Sequence, residues 1–285
     1  MSKNSVLITL IFSIIIANYM HSQTGKVIVK PIRNADNSVD FTYTKAAVGS
    51  YIVSFTFDKL INSEITATKL NATADSGLLF KLKPTDKNKK IDFSYSYATT
   101  QGYLNPIVNS NIIYALPFKK GKTVKIYAIT RKEINPERWT SYLVYSKKQD
   151  TIFSMRKGTV VIIRNLLEKD YDEVTKKTTT IERKQIVMEH ADGTFASYSG
   201  VEAKSICVTL GQKVYPQTKL GIMDRHNNDT YKIVFNVYYH EEDKKNYRGT
   251  EIAFTPNFLT EKGIGKLEDK KNYFVSYDDN IKLQE

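Results

Sequence analysis

The chain has 285 residues, enough for two domains with sizeable cores, and 41% of them are hydrophobic, which excludes wholesale disorder. Lys and Arg number 42 against 30 Asp and Glu, a formal charge of +12 that favours anionic partners but is dispersed along the chain. The single cysteine, Cys207, excludes an intramolecular disulfide.

The first 22 residues read as a secretory signal peptide. Lys3 precedes Val6–Ala17, a nearly unbroken apolar run. That run falls short of the roughly 20 residues needed to span a bilayer. Cleavage is expected between Ser22 and Gln23, although Met20 is larger than the small residue usual three positions before a cut. No cysteine follows the apolar run, so a lipoprotein anchor is not expected, and no later stretch reads as a transmembrane segment. Loss of the leader removes Lys3 and no acid. The exported protein, in the periplasm or at the cell surface, stays basic and suited to cell-wall polymers, lipopolysaccharide or membrane headgroups. Nucleic acid is not an expected partner there.

Residues 23–118 read as a small β-sandwich. Lys26–Lys30, Val39–Tyr43, Tyr51–Phe57 and Ile91–Tyr97 alternate apolar and polar residues with the period of a strand. Turn-rich breaks such as Asn34–Ser38 and Lys83–Asp86 separate them. No catalytic cluster is visible in this part. Leu116–Lys122 reads as a hinge into a second domain, residues 119–240, and residues 241–285 read as a C-terminal β-strand extension. Strands are expected at Thr123–Ile129, Ser141–Tyr145, Gly158–Arg164, Gln185–His190 and Tyr231–Tyr239. The charged stretch Leu166–Glu182 reads as an exposed hairpin or a short helix. Cys207, in the apolar stretch Ser205–Val208, reads as a buried, inert thiol. The whole is expected to be all-β.

Four landmarks in the second domain occur in a telling order. Asp150–Val160 turns at Gly158, Ile186–Tyr198 contains His190-Ala191-Asp192-Gly193-Thr194, and Val208–Val214 is followed by Leu220-Gly221. The fourth is Lys232–Val237. This series resembles the LytM-type, lysostaphin-like zinc metallopeptidases, whose duplicated hybrid motif fold cuts peptidoglycan cross-links. With the preceding β-domain and the entry Tyr114–Lys122, the layout is similar to secreted members from Bacteroidota.

The resemblance implies where a zinc site would stand. Active members hold zinc with a His and an Asp four residues later, plus the second His of an H-x-H pair, leaving one position open for water. Two further histidines move protons and stabilise the transition state. Aligned on the landmarks, Trp139 and Leu143 occupy the first two ligand positions, and Gly200 takes a catalytic histidine's place. Lys232 and Val234 replace the H-x-H pair. None of the five is the residue the chemistry needs, so neither zinc nor any other cofactor is expected.

The histidines agree. After the leader only His190, His226 and His240 remain, without H-x-H or H-x-x-x-D spacing. His190 reads as structural. Asp224, His226 and Asp229 lie close enough in sequence to form an adventitious metal site, though an exposed polar turn is the plainer reading. His240 with Glu241 and Glu242 reads as a strand end in a charged turn, where adjacent carboxylates face opposite sides of a strand.

The chain therefore reads as an inactive LytM-like module, an envelope scaffold or regulatory subunit whose partner is a protein complex or peptidoglycan. Its vacated groove would present Trp139, Leu143 and Val234 with Lys232 at one side. That surface suits peptide recognition, unless Trp139 and Leu143 simply fill the lost metal's space. Two other readings stay open at this point. One is an active zinc endopeptidase with ligands from elsewhere in the chain. The other is a secreted all-β envelope-complex or adhesion subunit unrelated to the peptidases.

Overall fold

The period-two patterning that marks the strands also decides which side chains enter the cores. The computed structural model describes residues 27–130, 140–172, 177–226, 229–243 and 246–276. The expected leader, its expected cleavage point and Trp139 lie outside the described residues. Among those described, the helical element is a single 3-10 turn, Ala203–Ser205, and the rest of the regular structure is strand. The chain is all-β, as expected. No helix among these residues is long and apolar enough to cross a membrane.

Two compact units emerge. The first comprises residues up to Ala47 together with Phe57–Thr66 and Ala74–Tyr95; the second takes Val48–Thr56, Ala67–Thr73 and everything from Ser96 onward. The first strands are β1 (Val27–Arg33), β2 (Val39–Lys45), β3 (Tyr51–Ile61), β4 (Lys69–Ala72), β5 (Ser76–Leu82) and β6 (Asp92–Gln101). Strands β1, β2 and β5 form one antiparallel sheet, and β4, β3 and β6 another.

Strand β2 shows how the first unit is held. Its sequence alternates, so Val39, Phe41 and Tyr43 are buried while Asp40, Thr42 and Thr44 turn the other way. The Phe41 ring is stacked on Phe80 at 4.6 Å and meets Tyr95 at 5.0 Å, Phe93 at 5.5 Å and Phe57 at 5.9 Å. Truncating such a residue to alanine costs about 3–5 kcal/mol. The turn into β2 relies on Asn37 at φ 63°, a left-handed conformation asparagine tolerates, and on Asp36, whose carboxylate accepts from the Ser38 amide and hydroxyl.

The second unit is built on one large sheet. Its strands are β7 (Ile113–Tyr114), β8 (Thr123–Lys125), β9 (Tyr127–Thr130), β10 (Thr140–Ser146), β11 (Thr151–Phe153) and β12 (Gly158–Asp172). Then come β13 (Lys177–Glu189), β14 (Phe195–Val201), β15 (Lys213–Val214), β16 (Lys219–Ile222), β17 (Asp224–Arg225) and β18 (Tyr231–Asp243). Strands β19 (Asn246–Phe254), β20 (Asn257–Thr260), β21 (Gly263–Gly265) and β22 (Asn272–Phe274) complete the chain. The sheet runs β15-β12-β13-β14-β18-β10-β9, with β17 and β19 also paired to β18. One face carries the main core, centred on Tyr142, Ile186, Tyr198 and Phe235. Part of the other face carries a smaller cluster of Val161, Val187, Phe195, Tyr238 and Ala253, against which Val48 and Tyr103 pack.

Three expectations need correction or sharpening. Leu116–Lys122 is not a hinge: Leu116 and Phe118 are buried in the main core, and Pro117 accepts from the Phe153 amide. The apolar pair holds the segment inside the unit it was expected to precede. The stretch Leu166–Glu182 is a hairpin, its pairing extending out to Asp172 opposite Lys177. Cys207 is exposed, not buried. The chain leaves the sheet after β14, and in the extended segment beyond the 3-10 turn Val208 goes inward while Cys207 turns outward.

The C-terminal strands belong to the same core. Phe258 of β20 and Tyr273 of β22 are buried in it, and β20 pairs in parallel with β7.

Candidate binding face

Strand β18 sorts its residues by parity. Ile233, Phe235 and Val237 enter the core, while Lys232, Val234 and Asn236 stand half-buried on the opposite face. On β10, Tyr142 and Val144 are core residues and Leu143 faces the other way. On β14, Ala196 and Tyr198 are core residues, and Ser197 and Ser199 lie on the opposite face of the sheet, themselves buried.

Register then lines these residues up. Arg164 of β12 is opposite Gln185 of β13, Gln185 is opposite Ser199 of β14, and Ser199 is opposite Val234 of β18. Val234 is opposite Leu143 of β10, which is opposite Tyr127 of β9. Six side chains from six strands thus form one row across the sheet. Its two halves differ in chemistry. Arg164 Nε donates to Gln185 Oε1 at 2.7 Å, and Gln185 Nε2 donates to Ser197 Oγ at 2.9 Å and Ser199 Oγ at 3.0 Å. The other half, Val234, Leu143 and Tyr127, is apolar, and the Tyr127 ring meets Tyr145 edge-on at 5.8 Å.

Four of the five sequence-derived site positions are described, and each can be placed. Leu143 and Val234 are direct cross-strand neighbours. Lys232 lies two residues before Val234, opposite Tyr145 of β10 and Asp224 of β17. Gly200 sits at the end of β14 with φ +102°, and a Cβ there would stand 2.5 Å from the Lys232 carbonyl oxygen. The fifth, Trp139, is outside the described residues.

The face offers hydrogen-bonding groups and apolar surface. The two serine hydroxyls accept from one amide; Ser199 lies opposite Gln185 and Val234, and Ser197 opposite Val187 and Asn236, none of which is a general base. Among the described residues, no three His, Cys, Asp or Glu side chains gather in a way that could hold a metal ion.

The histidines have other occupations. Asp224 and His226 converge on a cation that the sequence reading overlooked. Arg183, almost fully buried, donates through Nη1 to the Arg225 carbonyl at 2.7 Å. The same nitrogen lies 3.6 Å from Asp224 Oδ2, and Nη2 lies 3.4 Å from His226 Nδ1. A guanidinium thus stands where a metal was conceivable. His240 is buried against Phe195 and Tyr238 and is not part of an exposed charged turn. Burial pushes its pKa down to about 4.

His190 is also buried, as a structural residue would be. Its Nδ1 lies 2.7 Å from the Lys157 carbonyl and so carries the proton, leaving Nε2 bare and buried. Burial first, and then the Arg156 charge, push its pKa down to about 4. Arg156 is itself buried, with Nη1 2.9 Å from Asp192 Oδ2. Burial raises the Asp192 carboxyl, but hydrogen bonds from Thr194 and the Arg156 charge outweigh it and hold the group below its ordinary value.

The shared face of the two serines was readable in principle. In Phe195-Ala196-Ser197-Tyr198-Ser199, Ser197 and Ser199 alternate with Ala196 and Tyr198 at strand period, which puts the two serines on one face, although that face is buried here. Arg183 left no such signal, because its partners come from β17 and the loop beyond it.

No family model matches this chain, and no curated protein does. Solved structures similar to it include the SpoIIQ–SpoIIIAH pore-forming complex, at 15% identity over 50% of this chain and 88% of that one, with a TM-score of 0.32. A putative M23 peptidase from Pseudomonas aeruginosa is 11% identical over 73% of this chain and 77% of its own, with a TM-score of 0.31. A zinc-containing peptidase from Vibrio cholerae is 11% identical over 80% and 78%, with a TM-score of 0.26. Likenesses this distant carry no functional information.

Proposed function

We propose that this chain is an exported, non-catalytic LytM-like module that binds an extended peptide or protein segment along the row from Arg164 to Tyr127. It serves as a scaffold or regulatory subunit in an envelope complex or on peptidoglycan. The observation that carries this reading is the row itself. At the positions where the resemblance calls for ligands, Leu143 and Val234 are paired hydrophobes. Beside them stand the exposed Arg164 and the buried Gln185 and Ser199, bonded in line. Apolar anchors flanked by fixed hydrogen-bonding groups fit the general pattern of peptide recognition.

A metal-dependent peptidase needs an activated water, and Leu143, Val234, Gly200 and Lys232 supply none of the ligands or proton carriers that make one. The export reading rests on Lys3 and the apolar run behind it.

The test is photocrosslinking in the native envelope. A photoreactive residue at Leu143 or Val234 is expected to give a discrete adduct with an envelope protein or a peptidoglycan peptide. The control is Ile107, which is 93% exposed and is not a member of the row. No adduct at Leu143 or Val234, or the same adducts from Ile107, would contradict the proposal.

A further inference from the structure

A cleft of about 620 Å³ opens where β12 begins and β13 ends, and it shares no residue with the row described above. Its volume lies within the span typical of small-molecule sites, on the order of 300–1,000 Å³. Arg156, Lys157 and Lys213 line it, with Glu189 as the acid among its lining residues.

The acid is already engaged. One Glu189 carboxylate oxygen accepts from the Ser50 amide at 2.7 Å and the other from the Ser50 hydroxyl. Arg156 packs over the Tyr114 ring at 5.5 Å, and its hydrogen bonds leave from one end. Its Nη1 reaches Asp192 Oδ2 at 2.9 Å, the Tyr114 hydroxyl at 3.1 Å and Thr194 Oγ1 at 3.4 Å. Among the described residues, all of its side-chain hydrogen bonds run through that one nitrogen. A guanidinium presents five N–H groups in a fixed fork, so donors remain on the side away from Nη1. His190 lines the cleft as a neutral ring and adds no charge. Tyr103 supplies an aromatic wall, lying so close to Gly193 that a Cβ there would be 2.7 Å from the ring.

Cations in a concave site, beside an aromatic surface, select one kind of ligand. Arg156, Lys157 and Lys213 outweigh Glu189 and the Asp192 bonded to Arg156, so the walls focus a net positive field, and the arginine fork suits planar or tetrahedral oxyanions. We propose that this cleft is a second binding site, for a small organic anion whose carboxylate or phosphate is met by Arg156 and Lys213 and whose apolar body lies against Tyr103. The site does not depend on the proposed peptide-binding role, and either can fail without the other.

The test is a nuclear magnetic resonance titration of isotope-labelled protein at constant ionic strength. The probes are benzoate, phenyl phosphate and the neutral benzamide. At least one anion is expected to give saturable shifts at the amides of Gly158, Ala191 and Gly193, while benzamide gives none. Benzoate against phenyl phosphate shows whether carboxylate or phosphate is preferred. Lys213 is exposed, so Lys213→Glu is expected to stay folded and bind the anion about tenfold more weakly or worse, with Lys213→Arg retaining binding. Absence of saturable shifts with both anions at millimolar concentrations overturns the proposal. So do equal shifts from benzamide, or anion binding unchanged in Lys213→Glu.

Discussion

Gly200 lies against the carbonyl of Lys232 so closely that a Cβ would stand 2.5 Å from the oxygen. Its φ of +102° is a conformation that residues with side chains rarely adopt. The position that the sequence resemblance set against a catalytic histidine therefore has no room for one. Gly200→His is expected to lower stability by about 2 kcal/mol or more, through strain and the displaced backbone. It should not create hydrolytic activity. Denaturant melts of Gly200→Ala and Gly200→His check the first point, and wild-type stability in both would contradict the close approach.

The two buried histidines predict a pH dependence. Unfolded imidazoles take up protons near pH 6.5, whereas His190 and His240 in the fold do so only near about 4. Between those values the unfolded chain binds more protons, so stability rises with pH across that window and these two groups add no further slope above it. Each contributes up to about 3 kcal/mol at neutral pH relative to pH 4 or below. Urea melts from pH 4 to 7 measure the slope, and His240→Gln should reduce it. An unchanged slope in that variant would remove His240 from the account.

Arg183 is expected to be a stability residue. Arg183→Met leaves the Arg225 carbonyl without its donor and Asp224 and His226 without their shared cation. Removing one partner of a buried charged network costs about 3–5 kcal/mol. Because Asp224 keeps some solvent access, the lower end of that range is expected here. Chemical denaturation measures it, and a loss within error of zero would show that the cluster contributes nothing.

Export predicts a mature N-terminus at or near Gln23. Intact-mass measurement on protein recovered from the native host decides it. Retention of Met1–Ser22 would overturn the export reading.

Much of the fold was legible because strands announce themselves by alternation. Strand β2 was sorted correctly by period alone. The row from Arg164 to Tyr127 was not legible as a row. Each member is visible in its own strand, but their alignment depends on the register of five strand pairs, two of them shifted by bulges. Leu143 and Val234 were reached by resemblance, and the structure adds that they face each other. Cys207 was misread because apolar neighbours suggested a strand, and a segment outside the sheet obeys no sheet pattern. His240 was misread for the opposite reason. The charged Glu241 and Glu242 that follow suggested an exposed turn, yet β18 continues through them and keeps His240 inside.

The central claim is that the face carrying Leu143 and Val234 binds without cutting. It is tested most directly by incubating the purified mature protein with intact peptidoglycan and added zinc, then analysing the soluble fraction by mass spectrometry. The account predicts no released cross-link fragments beyond those of a protein-free control. Fragments that appear with the protein and vanish on adding a chelator would contradict it.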